Sequence, residues 1–169
     1  DDYSLTDIVA NRFDAGVRFG EQITNGMVSV RIGPDVKFTV VGSPDYFKDR
    51  TLPEHPQELI EHTCINLRFP THGNLYIWEF EKDGKKINIK APGQLVFGRI
   101  YQVLNAAIEG YGLAHVPSDI AEKYIESGEL ISVLNDWCPY WDGYYLYYPS
   151  RRQPSKAFSL IIDTLRYHK

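Results

Sequence analysis

The chain has 169 residues, 43% hydrophobic and 24% charged, with a formal net charge of −4. That composition suits one globular domain or two small lobes. Without a basic stripe, direct nucleic-acid binding by this segment is not expected; no run approaches the ~18 apolar residues that span a bilayer, and no signal peptide opens the chain. The first residue is Asp1 rather than Met, and periodic sequence follows at once, as in a fragment or a processed chain.

In chain order, Ser4 or Thr6 is placed to cap a short helix through Leu5, Ile8, Val9 and Asn11. Ala15–Phe19 reads as a strand, and Met27–Ile32 alternates as a half-buried strand should. The turn at 33–35 leads into Val36–Gly42, rich in β-branched residues. Pro44 stops it, and DYFKD predicts a turn or two of helix, with a second short helix at QELIEH. Thr63–Phe69 is a further strand, and Tyr76–Glu81 and Lys86–Lys90 make a hairpin about a KDG turn.

The stretch from Gly93 to Pro117 is the most informative. Gln94–Phe97 predicts a strand and Gly98-Arg99 a tight turn. Ile100, Val103, Leu104, Ala107, Ile108 and Tyr111 then recur at helical spacing. Gly110 and Gly112 end that helix, and Leu113–Val116 is a buried strand closed by Pro117. Such a unit sets a helix N-terminus at the carboxyl end of a strand, where open α/β sheets bind ligands; it is equally the form of a plain crossover. Beyond it, Ser118 or Asp119 is expected to cap IAEKYIES, and Leu130–Leu134 is a strand. A loop at 135–143 precedes the aromatic strand Tyr144–Tyr148, and a helix from Ser155 carries Phe158, Ile161, Ile162 and Leu165 on one face. Alternating strands and helices with one hairpin indicate α/β architecture. The chain is expected to pass between lobes at Gly42-Ser43-Pro44 and in the 135–143 loop, giving lobe I from 1–43 and 142–169 and lobe II from 44–141.

No catalytic constellation is legible. The serines lack a GxSxG elbow, and His55, His62, His72, His115 and His168 show no metal-ligand spacing. His115 reads as a satisfied core histidine, His55 and His62 as a surface helix and its flank, and Glu79/Glu81 as a solvated pair. Cys64 and Cys138 have no second thiol nearby in sequence; they read as two buried small hydrophobes, with a long-range disulfide as the alternative. Arg18 and Arg68 stand at strand ends, where a guanidinium is costly to bury without an anionic partner; each is either half of a structural ion pair or an anion ligand. Arg99 beside the helix N-terminus either adds charge to the same place or is a turn residue, and Arg151-Arg152 reads as a solvated loop. Together the first three would describe an anion or carboxylate pocket rather than a catalytic centre.

Taken in order, DIVANRFDAGVRFGE (7–21), the stretch VVGSPDYFKDRTLPEHPQELIEHTCINLRF (40–69), WEF (78–80) and the run from Gly93 to Arg166 resemble the effector-binding domain of LysR-type transcriptional regulators. The resemblance covers nearly the whole chain. It implies a fold of the periplasmic-binding-protein type 2 class, with two α/β lobes joined by two crossover strands and a small-molecule effector between them. Carried over position by position, it implies that Arg18, Phe19 and Gly20, Arg68 and Phe69, Gly98, Arg99, Ile100 and Tyr101 line the cleft, with Pro117 at its mouth. It implies no cofactor and no enzymatic activity. It also implies a cytoplasmic protein that self-associates as a dimer or tetramer and reaches promoter DNA only through an N-terminal winged helix-turn-helix outside this segment. The family's first strand–helix–strand of lobe I has no counterpart here, so lobe I is expected to be incomplete and to present an open sheet edge. The Gly98-Arg99 pair departs from the small polar residues often found there, which points to an acidic effector. The other reading of the same fold is a stand-alone solute-binding protein or an enzyme.

Overall fold

In the computed structural model, residues 7–19, 26–69, 73–150 and 154–168 are described. The strands are β1 (Gly16–Phe19), β2 (Met27–Arg31), β3 (Val36–Gly42), β4 (Cys64–Leu67), β5 (Trp78–Lys82), β6 (Lys85–Ile89), β7 (Val96–Phe97), β8 (Leu113–Pro117), β9 (Ile131–Val133), β10 (Tyr140–Trp141) and β11 (Tyr144–Pro149). The α-helices are α1 (Pro44–Phe47), α2 (Ile100–Ile108), α3 (Ser118–Glu126) and α4 (Lys156–Leu165). Among the described residues there are also 3-10 turns at Pro56–Glu61 and Asn135–Trp137.

The chain divides into two compact units. The first is Lys37–Tyr140; the second is built from the described residues of Leu5–Val36 and of Trp141–Lys169. The first division falls at Val36/Lys37, ahead of the Gly42-Ser43-Pro44 break expected from sequence. The reason is pairing: β3 runs antiparallel to β8 and β9 and so belongs to the first unit's sheet.

That sheet has the order β10-β3-β8-β4-β7, with β9 also on β3. Strand β4 is parallel to both β7 and β8. Both faces of this sheet are covered, which is why Cys64, Ile65, Asn66 and Leu67 are all buried and read as a continuous run without alternation. On one face α2 and α3 pack through Val103, Leu104, Ala107 and Ala121 onto Val41, Ile65, Ala114 and Val116. On the other, the β5–β6 hairpin lays Trp78 and Phe80 over Val40, Cys64 and Leu113. The heptad-like stripe of α2 is as expected, except that Tyr111 lies beyond the helix with its ring 62% exposed. The helix stops because Gly110 takes φ +80°, a left-handed turn in which the Tyr111 N–H reaches back 3.0 Å to the Ala106 carbonyl.

Several local expectations change. Helix α3 begins directly at Ser118, with Pro117 as its N-cap and no side-chain cap; the Asp119 carboxylate instead accepts from the Ile120 N–H at 2.9 Å. At the start, Asp7 caps a turn by accepting from the N–H groups of Val9 and Ala10, where a helix was expected, and Ser4 and Thr6 lie outside the described residues. The 135–143 loop contains a 3-10 turn and β10.

The second unit is a three-stranded antiparallel sheet, β1-β11-β2, with α4 packed on it. Its core is small: Val30, Leu146 and Ile162, with Ala15, Ile32, Tyr148 and Phe158 against them. Ser155 caps α4 by accepting from the Phe158 N–H. Ile161 and Leu165 are 50% and 44% exposed, so only part of the apolar face expected for this helix is covered. Strands β1 and β2 each pair with β11, which is the register assigned to them among the described residues.

Candidate functional site

Because β4, β7 and β8 are parallel and adjacent, their carboxyl ends meet at one edge of the first unit's sheet. This edge collects Arg68 and Phe69 after β4, Gly98 and Arg99 between β7 and α2, Ile100 and Tyr101 at the start of α2, and Pro117 at the end of β8. The Arg68 N–H donates to the Phe97 carbonyl at 2.8 Å, tying the first two groups together directly. Pro117, buried, sits opposite Phe38 on β3 and opens α3.

Two helices therefore start at this edge, and neither has a side-chain cap. Arg99, the N-cap of α2, holds an extended backbone, so the Gln102 and Val103 N–H groups both turn to its carbonyl. The arrangement directs the positive end of the helix dipole, and the first unpaired N–H groups, toward the strand ends. Gly98, Arg99 and Tyr101 are exposed, whereas Ile100 is buried and anchors the helix start. Gly98 meets no neighbour where a Cβ would stand, which leaves open space above the turn.

The Arg68 guanidinium has a backbone partner within the same unit. Its Nη1 donates to the Gly73 carbonyl at 2.6 Å, and Phe69 N–H donates to Asn74 O at 2.9 Å. The guanidinium thus holds Gly73, while Leu75 pairs with Arg68 and the Tyr76 N–H donates to the Leu67 carbonyl. Tyr76 then sits edge-on to Phe69, with ring centroids 5.8 Å apart, and close to Phe38. Tyr76 and Phe38 are functional candidates that sequence reasoning did not single out. Both belong to strands or strand flanks that look purely structural until the Arg68–Leu75 bridge folds Tyr76 back beneath Phe69.

In the second unit, Arg18 and Phe19 end β1. Arg18 lies over the Tyr147 ring at 5.3 Å, a cation–π contact. Phe19 stacks on Tyr144 with centroids 4.6 Å apart. Gly20 lies outside the described residues, as do His72, Arg151 and Arg152.

Two histidines differ from their sequence reading. His62 is buried and its Nδ1 lies 3.2 Å from the Tyr46 hydroxyl, so it is no surface flank. His115 is buried as expected but not satisfied: neither ring nitrogen has a hydrogen-bond partner. Phe38, Tyr76, Trp78 and Phe80 surround it at centroid distances of 5.2 to 5.8 Å, Tyr76 lying nearly parallel to the ring. Burial pushes its pKa down to about 3. Cys64 and Cys138 are free, buried thiols, pushed up by burial to about 12 and about 11. Glu81 is half-buried and pairs with Lys86 at 3.6 Å. Among the described residues no group of His, Cys, Asp or Glu could hold a metal ion, and no helix is long and apolar enough to cross a membrane.

A mixed α/β sheet with a strand-end edge fed by two helix starts, joined to a smaller antiparallel unit by two chain crossings, is the regulatory-domain form of the type 2 periplasmic-binding-like fold. The chain belongs to the LysR substrate binding domain family, whose model matches residues 1–169. It is 47% identical over 165 residues to a predicted transcriptional regulator of Pseudomonas aeruginosa, covering 98% of this chain and 54% of that protein. It is 46% identical over 166 residues to the HTH-type transcriptional regulator PgrR of Escherichia coli, covering 98% of this chain and 56% of PgrR. The chain thus spans about half the length of the curated relatives it matches. The regulatory domain of AphB from Vibrio vulnificus superposes with a TM-score of 0.76 at 25% identity, over 92% of this chain and 75% of that one. These relatives are described as transcriptional regulators.

Proposed function

We propose that this chain is the effector-sensing part of a LysR-type transcriptional regulator, and that the effector is a small anion, most simply a carboxylate. The observation that carries the reading is the meeting of two helix starts without side-chain caps with Arg68 and Arg99 at the carboxyl edge of β4, β7 and β8. A carboxylate there would accept from the first N–H groups of α2 and gain the Arg99 charge, while Phe69, Ile100, Tyr101 and Pro117 contact its apolar part. Arg68 would act by holding Gly73 in place at the side of the site. Arg18, Phe19 and Gly20 are proposed as the second unit's ligand contacts. The lobes are proposed to follow the two compact units, Lys37–Tyr140 for one and Leu5–Val36 with Trp141–Lys169 for the other, which moves β3 out of the 1–43 segment expected from sequence.

The parent protein is proposed to be cytoplasmic, to self-associate as a dimer or tetramer, and to bind promoter DNA through an N-terminal helix-turn-helix. Effector binding would then change the arrangement of those DNA-binding parts. Its relatives' descriptions as HTH-type transcriptional regulators support this reading.

Thermal-shift screening of small carboxylates and aromatics tests it first, since a ligand that binds only the folded state raises the melting point. Calorimetry with the best ligand follows. Arg99→Ala and Arg18→Ala are expected to weaken binding about tenfold each, the loss of one charge-assisted contact, with little change in melting point. Unchanged affinity in both variants rejects the site.

A further inference from the structure

At the opposite, amino-terminal end of the same parallel strands lies a cavity of about 570 Å³, within the range of small-molecule sites. His62 and Thr63, just ahead of β4, form one side, and the loop into β7 and Tyr111, just ahead of β8, form the rest. We propose that this cavity is a second small-molecule site, distinct from the strand-end edge, for an uncharged planar ligand that carries a hydrogen-bond acceptor, such as an aromatic amide.

The walls are built rigidly. Cys64 N–H donates to the Pro92 carbonyl at 2.7 Å and Asn66 N–H to the Leu95 carbonyl at 2.9 Å, so the 92–95 loop is laid along β4 as an extra strand would be. At Gly93 it comes so close to the Cys64 carbonyl that a Cβ could not be placed. The cavity therefore keeps its floor without a ligand.

Its polar side is held by one hydrogen-bond chain. The Tyr46 oxygen accepts from the Thr63 N–H at 2.9 Å and lies 3.2 Å from His62 Nδ1, so that ring nitrogen is engaged within the wall. Burial, and then the charge of Arg50, hold the imidazole pKa below its ordinary value, so His62 adds no charge to the lining at neutral pH.

Tyr111, also in the lining, is 62% exposed and offers an aromatic face on which a flat ligand can stack. Gln94 adds an exposed amide that can donate or accept, and Leu95 a half-buried apolar contact. The lining includes no Lys, Arg, Asp or Glu. A charged ligand would lose hydration there without a counter-charge, whereas a neutral one would not. The strand-end edge, with its arginines, has the opposite preference, so the two sites select different chemistry.

Titration of the whole chain with benzamide, followed by NMR of the His62 and Tyr111 ring resonances, tests the proposal. Benzamide is expected to shift both saturably, and benzoate to bind at least about fivefold more weakly for want of a counter-charge. Tyr111→Ala, at an exposed position, is expected to fold normally and to weaken benzamide about fivefold, the worth of one stacked ring. Ile60→Ser, also exposed, serves as the neutral control. No saturable shift up to the solubility limit, equal binding of benzoate, or full affinity in Tyr111→Ala overturns the proposal.

Discussion

The two units are made from similar residues but close their cores to different degrees. In the first, both faces of the sheet are covered, and Val40, Val41, Leu59, Ala107, Leu113, Ala114 and Val116 are wholly inaccessible. In the second, three buried residues form the centre, while Val9, Phe13, Val17, Leu160 and Ile161 are 50% exposed or more. The difference lies in layering. A sheet with helices on one side and a hairpin on the other buries every strand side chain; a three-stranded sheet with one helix buries one face. The proposed effector groups follow the same division, because the rigid first unit holds most of them on strand ends and one helix start.

The largest effects should come from the first unit's core. Leu104→Ala removes a side chain 1% exposed between α2 and the sheet and is expected to cost about 3–5 kcal/mol in chemical denaturation. The matching change in the second unit, Leu146→Ala, is expected to cost about 2 kcal/mol, since its thinner surroundings relax into the gap. Equal costs would erase the contrast.

His115 sharpens the comparison through pH. Its folded-state pKa of about 3 lies below the ordinary 6.5, so the unfolded chain takes up a proton first as pH falls. The stability it contributes is complete above pH 6.5 and declines between 6.5 and 3 by about 1.4 kcal/mol per pH unit. Across that window His115→Leu should flatten the fall of stability by one proton's worth. At pH 7 it should match or exceed the parent, because two unpaired ring nitrogens leave the aromatic cage. An unchanged slope in the variant would mean that the imidazole is not neutral inside the folded unit.

The smallest effect belongs to the exposed face of α4. Leu160→Ser and Ile161→Ser should change the stability of this chain by no more than about 0.5 kcal/mol each. A loss comparable to that of Leu146→Ala would show that this face is covered in solution.

Much of this was readable before any coordinates. The α2 stripe, its glycine stop, the β5–β6 hairpin and the helix start at Ser155 are local patterns, settled by spacing within a few residues. What escaped was long-range. His62 is buried where Tyr46, sixteen positions earlier, and its neighbour Phe47 pack against its ring. Tyr111 continues the helical spacing of α2 but leaves the helix at Gly110, so its period signals a burial it does not have. At the candidate site, Arg68 was named from a strand end, Arg99 from the helix start beside it, and Pro117 from the family resemblance. Their meeting depends on the β8-β4-β7 order, which no single stretch encodes.

The most direct test of the proposed sensing role is an amide NMR titration of the chain with the carboxylate that gives the greatest thermal shift. The account predicts saturable shifts at Phe69, Arg99, Ile100, Tyr101 and the first residues of α3. Shifts confined to Gly93–Leu95 and Tyr111, with the start of α2 unmoved, would contradict it.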